Sequence, residues 1–510
     1  MNRVLASVVL SLACASTASA KDLLGAFHDA QQNDPQIRAA DANRLASREA
    51  RPQAWAALLP QISGTGSWAK DRQTGVVSQF GFSPTTGGVI AVPFPLSSRS
   101  WITRFGVSAD ERIFSYSNLM ALKGAGAEVA QAEATYHAAE ESLILRLSQA
   151  YFNVLTAQDT VDANAASLEA IDRQLDQANK RFDVGLSAIT DVEEAKAARD
   201  TAAAAVIAAK RTLATSVDQL SEITGQKYES LAKPGERMPL NNPEPASEQK
   251  WVDLSLDQNQ TLVATRLGAD VARNNVQVAF GGHLPNIDIV ASRTQSNTAE
   301  LQSFGPSILS TPGNVADRSI SFQISVPIFS GGATQSKVRQ AQYQWIAAKE
   351  NVVQSSRATE RQARDAYLGV ISGIAQVGAL RQALESNQTA LKATEAGYEV
   401  GTRTSVDVLN SRRLLVQSQT DYSRSRYDYI LSIIQLRLAA GILAPKDLEE
   451  INSWLEVVEA TTPVAPLAPT NTPPPPPGAT IPGATQPPGP QPGNTPNPPA
   501  PPPPPQPRQR

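Results

Sequence analysis

The sequence holds one cysteine and three histidines, and aromatic residues make up only 5% of it. The lone thiol, Cys14, lies in "MNRVLASVVLSLACASTASA", where Arg3, a short apolar run and Ala18-Ser19-Ala20 precede Lys21. That is the pattern of a secretory signal with an A-x-A cleavage site. The alternative makes Cys14 a lipid-bearing first residue, although Ser11 stands where leucine is expected. Removal of the leader leaves no thiol, which excludes a disulfide framework and any Cys-based metal or redox site. No run of eighteen apolar residues follows, so no transmembrane helix is expected. The formal charge is −3 with basic residues spread out, which gives no electrostatic case for nucleic acid. His28, His137 and His283 stand apart without HExxH spacing, and "GTGS" at 64 is a poor fragment of a nucleotide loop. The expectation is a protein that is not an enzyme, with neither cofactor nor metal.

Proline is abundant in one place. From Thr461 the chain runs "TTPVAPLAPTNTPPPPPGATIPGATQPPGPQPGNTPNPPAPPPPPQPRQR", where missing donors and fixed φ exclude helix and sheet. A disordered or polyproline tail is expected; a ligand for a proline-binding partner is the sharper alternative.

The rest of the chain repeats itself. Ile37 matches Leu262, Leu59-Pro60 matches Leu284-Pro285, "RIFS" ending at Ser115 matches "PIFS" ending at Ser330, and Gly225 and Gly441 close the two copies. The expected organisation is a signal peptide at 1–20, a first repeat at 21–225, a connector at 226–249, a second repeat at 250–441, a short helical segment at 442–460 and the Pro-rich tail at 461–510.

Each repeat opens with a helix that stops at Pro60 or Pro285. The period then changes to two: Trp101, Thr103, Phe105 and Val107 fall on one side, and "SISFQISVPIF" sets Ile320, Phe322, Ile324 and Val326 against Ser321, Gln323 and Ser325. Two strands per repeat, of about 9–11 residues, fit a tilted membrane strand and equally a half-buried strand of a soluble sandwich. "TGVVSQFGFSPTTGGVIAVPFPLSS" and "SNTAELQSFGPSILSTPGNVADR" read as long loops between the strands. Helical periodicity returns from about Asn118 to Asp183 and from Thr190 to Thr224, with a coiled-coil-like stripe through Leu143, Leu147, Ala150 and Val154. The second repeat has the same pair of helices.

Four strands are too few to close a barrel, for which about eight is the minimum. In lipid, open sheet edges would leave unpaired backbone groups, so membrane strands require several chains to share one barrel. The strand count leaves two, three or four copies open. A soluble exported coiled-coil rod or adaptor explains the helices but not the paired strands.

"QAYFNVLTAQDTV", "EAIDRQLDQANKRFDVGLSAITDVEEAKAARD", "SEITGQKYESL", "HLPNIDIVAS", "SVPIFSGG" and "GYEVGTRTSVDVLN" closely resemble the TolC outer-membrane channel family over roughly residues 21 to 455. The resemblance implies a mixed α/β membrane protein. Its homotrimer would form a twelve-stranded transmembrane β-barrel, four strands per chain, continued by a periplasmic α-helical coiled-coil barrel. It implies a passive exit duct for drugs, toxins or proteins. The duct would be docked through a periplasmic adaptor (membrane fusion) protein on an inner-membrane pump of RND, ABC or MFS type.

Two stretches, "RFDVGLSAITDV" and "GYEVGTRTSVDVL", break the long helices at Gly185 and Gly401 and place Asp191 and Asp407 at one offset. Both glycines are expected hinges where a helix turns back. Thr190 with Glu193, and Thr404 with Asp407, stand at capping-box spacing, so helix capping is one reading of these residues. The resemblance implies a second. Asp407 would line the periplasmic constriction as a ring of like charges, with Asn410 where the family carries a second acidic ring, making the narrowest point less negative. By the same resemblance Tyr398 and Arg403 reach Thr190 and Asp191, and Glu395 meets Gln174 across neighbouring coils. Together these six would form a polar gate latch.

Overall fold

The computed structural model describes residues 20–456 except 83, 84, 86, 236, 237, 305 and 306. The expected leader through residue 19 and the Pro-rich tail lie outside the described residues.

Short helices come first: α1 (Leu23–Asn33), α2 (Pro35–Arg48) and α3 (Ala50–Ala56). Asp34 stops the first and caps the second by accepting a hydrogen bond from the Gln36 amide, with Pro35 at the first helical position. Strands β1 (Gln61–Phe82) and β2 (Val89–Phe114) follow, then α4 (Tyr116–Asp183) and α5 (Ile189–Thr224). After the two-residue β3 (Lys233–Pro234) the order recurs: α6 (Glu248–Gln258), α7 (Gln260–Phe280), β4 (Asn286–Phe304), β5 (Ser307–Ser325), α8 (Ala333–Glu399) and α9 (Ser405–Ala440). Asn259 caps α7 as Asp34 caps α2, by accepting from the Leu262 amide. The described residues end with α10 (Pro445–Asn452) and β6 (Leu455–Glu456), which pairs with β3. The 68 residues of α4 extend about 100 Å at ~1.5 Å per residue.

The principal core lies far along α4 from its C-terminal tip. Leu143, Leu147, Tyr151, Phe152 and Leu155 pack with Tyr429, Ile430 and Ile434 of α9 and with Leu23 and Leu448 from the chain's two ends. Phe152 stacks on Tyr427 at 5.7 Å, and the Tyr427 hydroxyl donates to Asp159 at 2.7 Å. Toward the tips burial thins to one small cluster, Ala178 with Val192 and Ala195.

The main sheet has the order β1-β2-β4-β5, antiparallel throughout. One register row sets Ile62, Ala109, Ala291 and Ile320 side by side; the next sets Ser63, Ser108, Ser292 and Ser319. The serine face is tied by Ser63–Ser108 and Ser292–Ser319 bonds of 2.9 Å and by Arg112–Asp288 at 2.9 Å. On the other face Ile320 is 84% exposed and Phe322 62%, too much apolar surface to leave in water. Among the described residues β1 and β5 each pair on one side only, so the sheet has two open edges.

The strands correct one expectation. They run 22, 26, 19 and 19 residues, roughly twice the length foreseen, because most of the two supposed loops is strand. Pro93 and Pro95 fit because β4 pairs with β2 only from Leu96 onward, and Pro312 fits because β5 is an edge. Among the described residues no helix is long and apolar enough to cross a membrane.

Candidate gate at the helical tips

Each long helix ends in the same way. Gly185 and Gly401 take φ of 75° and 78°, the left-handed region that halts a helix at low steric cost only for glycine. The Leu186 amide donates to the Arg181 carbonyl and the Thr402 amide to the Gly397 carbonyl, both at 2.8 Å. A Cβ at either glycine would meet nothing within 4 Å, so backbone conformation and not space selects the residue.

The two returning helices start differently. At α9 the Asp407 amide donates to Thr404 Oγ1 at 3.2 Å, and the Thr404 amide and hydroxyl both donate to Asp407 Oδ2 at 3.0 Å. This is the capping box that the spacing predicts. The backbone amide and then the hydroxyl of Thr404 hold the Asp407 carboxyl below its ordinary range, with a smaller contribution from Arg403. At α5 the expected box of Thr190 with Glu193 does not form. The helix begins at Ile189, its cap is Ala188, and no side chain bonds there. Ala188 stands at the position of Thr404, and a methyl group accepts nothing.

The expected latch residues are partly brought together. Gln174 is 8% exposed and donates through Nε2 to Ser405 Oγ at 3.2 Å, while its Oε1 has no partner. Glu395 accepts from Arg412 at 2.6 Å within its own hairpin, and the Arg412 Nε is also without a partner. The Arg181 guanidinium lies 5.1 Å over the Tyr398 ring. Among the described residues no hydrogen bond joins Tyr398 or Arg403 to Thr190 or Asp191 within one chain. Asn410 is exposed, three residues beyond Asp407. Sequence reasoning did not single out Ser405, Arg412 or Arg181. For Arg412 the signal was available, since folding α9 back along α8 about Gly401 sets it beside Glu395; Gln174 and Ser405 lie 231 positions apart and gave none.

The sequence model of the family "Outer membrane efflux protein" matches residues 26–226 and 251–442. "Outer membrane protein TolC" of Vibrio cholerae serotype O1 is 35% identical over 444 residues, covering 86% of this chain and 95% of that relative. "Alkaline protease secretion protein AprF" of Pseudomonas aeruginosa is 28% identical over 434 residues, covering 85% and 87%. Among solved structures, the outer membrane protein VceC of Vibrio cholerae superimposes with a TM-score of 0.63 at 19% identity, covering 82% of this chain and 96% of that one. The matched residues take in the four strands of the main sheet and the four long helices, and the chain belongs to the outer membrane efflux protein family.

Proposed function

We propose that three copies of this chain join their four-stranded sheets into one twelve-stranded barrel in the outer membrane, with the long helices continuing it as a periplasmic tube. The observation that carries this is the sheet itself: two open edges, one face of exposed Ile62, Phe105, Ile320 and Phe322, and an opposite face of serines. In hydrocarbon an open edge costs several kcal/mol per unpaired group, and only closure removes it. The apolar face then meets lipid and the serine face lines a wet lumen. A soluble rod accounts for neither.

The duct is passive and conducts drugs, toxins or proteins. Membership of the outer membrane efflux protein family and the likeness to the secretion protein AprF support both efflux and protein secretion as uses of one scaffold. Its energy comes from an inner-membrane pump of RND, ABC or MFS type, reached through a periplasmic adaptor. The units are the repeats 21–225 and 250–441, joined by 226–249 and followed by 442–460; a leader at 1–20 and the tail at 461–510 flank them.

The helical tips form the gate. Three Asp407 carboxylates ring the constriction, each kept ionised by its own Thr404 cap, and Asn410 leaves the next level neutral. Gly185 and Gly401 are the hinges. Closure brings Tyr398 and Arg403 onto Thr190 and Asp191, and Gln174 toward Glu395 of the neighbouring coil. The absence of a bond from Tyr398 or Arg403 to Thr190 or Asp191 within one chain supports partners that come from another copy. Purified protein in planar bilayers tests the whole reading: a trimeric mass with discrete ion currents is expected, and a water-soluble monomer that carries no current refutes it.

A further inference from the structure

All but one of the described carboxylates of the sheet fall on one face, which Arg104 and Arg112 share. Asp71, Asp110, Asp288, Glu300 and Asp317 all fall on the serine face by strand alternation. Lys70, Arg72, Arg99, Arg293 and Arg318 fall on the apolar face and are exposed. Glu111, near the helical end of β2, is the one described carboxylate on that face; toward the hairpin turns there is none.

The arginines are also paired. In the first hairpin the apolar run through Ile62, Val107, Phe105 and Trp68 is interrupted at Lys70, which lies 5.8 Å over the Trp101 ring, and at Arg72 directly opposite Arg99, and exposed Val76, Phe80 and Phe82 follow on the same face. In the second, the run through Ile324, Phe322 and Ile320 is interrupted at Arg293 directly opposite Arg318, and exposed Leu301 and Ile308 lie beyond on the same face. Like charges at directly opposed positions on one face repel. Among the described residues none of these four arginines has an ion pair, so nothing in the chain offsets the repulsion. An anion between each pair would.

We propose that the outward face around the arginine pair of each hairpin is a binding surface for the phosphate groups of an anionic membrane lipid. The occupant is a lipid because the arginines continue the surface that lies in hydrocarbon, so an anion there belongs to a molecule whose chains cover Phe322 and Phe105. Guanidinium pairs suit phosphate because its oxygens accept forked hydrogen bonds from both sides. This inference rests on the barrel reading, since it takes the apolar face as the lipid-facing one.

The test uses the full-length protein in nanodiscs of phosphatidylcholine, with or without a diphosphorylated glucosamine lipid. Native mass spectrometry counts the phosphorylated lipid retained by the parent and by the quadruple variant R72Q/R99Q/R293Q/R318Q. Retention about tenfold lower or more in the variant is expected, given four cations near a membrane surface, with single-channel current equal in both proteins. Equal retention with intact current overturns the lipid surface alone. Absence of current from both proteins overturns the barrel and the surface with it. Displacement of the lipid by equimolar inorganic phosphate overturns the lipid and leaves a free-phosphate site. Because the substitutions remove repulsion, the variant is also expected to melt no lower than the parent in non-ionic detergent, and a lower melting temperature than the parent's contradicts the unbridged pairs.

Discussion

The two helical tips have the same backbone and different fastenings. Both end on a left-handed glycine closed by a 2.8 Å amide-to-carbonyl bond. The second tip adds a side-chain cap at Thr404, a short ion pair between its helices, Glu395–Arg412, and the contact with Gln174. The first has an uncapped Ala188 and the looser, half-exposed pair Asp172–Arg199 at 3.1 Å. Two tips of like backbone need only one to carry the adjustable chemistry, and here the polar chemistry is concentrated in the second. In the proposed gate the α8–α9 hairpin is therefore the element whose fastenings decide whether the tube is shut.

The largest expected effect removes that difference at the latch. Tyr398→Phe combined with Arg403→Glu takes a hydroxyl and a cation from the second tip and places a carboxylate near Asp191. Single-channel conductance should rise several-fold, and unchanged conductance would sink the latch. Thr190→Val at the first tip should open the channel less, because it removes one acceptor and introduces no charge.

Next come the ion pairs between helices. Arg412→Ala leaves Glu395 without its partner in a half-buried setting and should cost about 1 kcal/mol. Arg199→Ala breaks a pair whose two side chains are 44% and 48% exposed, and should cost close to nothing. Parallel denaturant titrations separate the two; equal losses would mean the hairpins are fastened alike. The hinges should behave as equals. Gly185→Ala and Gly401→Ala each force a methyl-bearing residue to φ near +75°, at about 1 kcal/mol, with no clash to add. A loss at one tip only, in the same titrations, would break the shared-backbone half of the comparison.

Much of this was legible in the sequence where a period or a spacing carried it. The alternation of Ile320, Phe322, Ile324 and Val326 located β5 and its apolar face, and Thr404 with Asp407 located the cap. Strand length was not legible. Backbone pairing extends a ladder through Gly, Ser and Thr whatever their propensities, and prolines are tolerated where the neighbouring strand is absent. The error at Thr190 has a local cause. Thr190 and Glu193 have the right spacing, but Gly185 sets the helix to begin at Ile189, which moves the cap to a residue without a hydroxyl. The Gln174–Ser405 contact required the fold, since it joins α4 to the start of α9 across 231 positions.

The smallest expected effect exchanges the caps. Thr404→Ala should lower hydrogen-exchange protection of the first amides of α9 about fivefold, and Ala188→Thr should raise protection at the start of α5 by a similar factor. The pair of variants would move the side-chain cap to the first tip without touching either glycine. Their pH dependence should be exchanged as well. The Asp407 carboxyl is held below its ordinary 3.8 by Thr404, so its contribution to the cap is complete above that value and is lost as the pH falls further. In the parent, then, protection of α9 should decline on acidification below about pH 4 while that of α5 changes little. In Thr404→Ala the amide that bonds Asp407 remains but the hydroxyl does not, so the decline should begin at higher pH. If α5 and α9 lose protection together in the parent, the asymmetry of the tips is a matter of sequence alone and does no work in the gate.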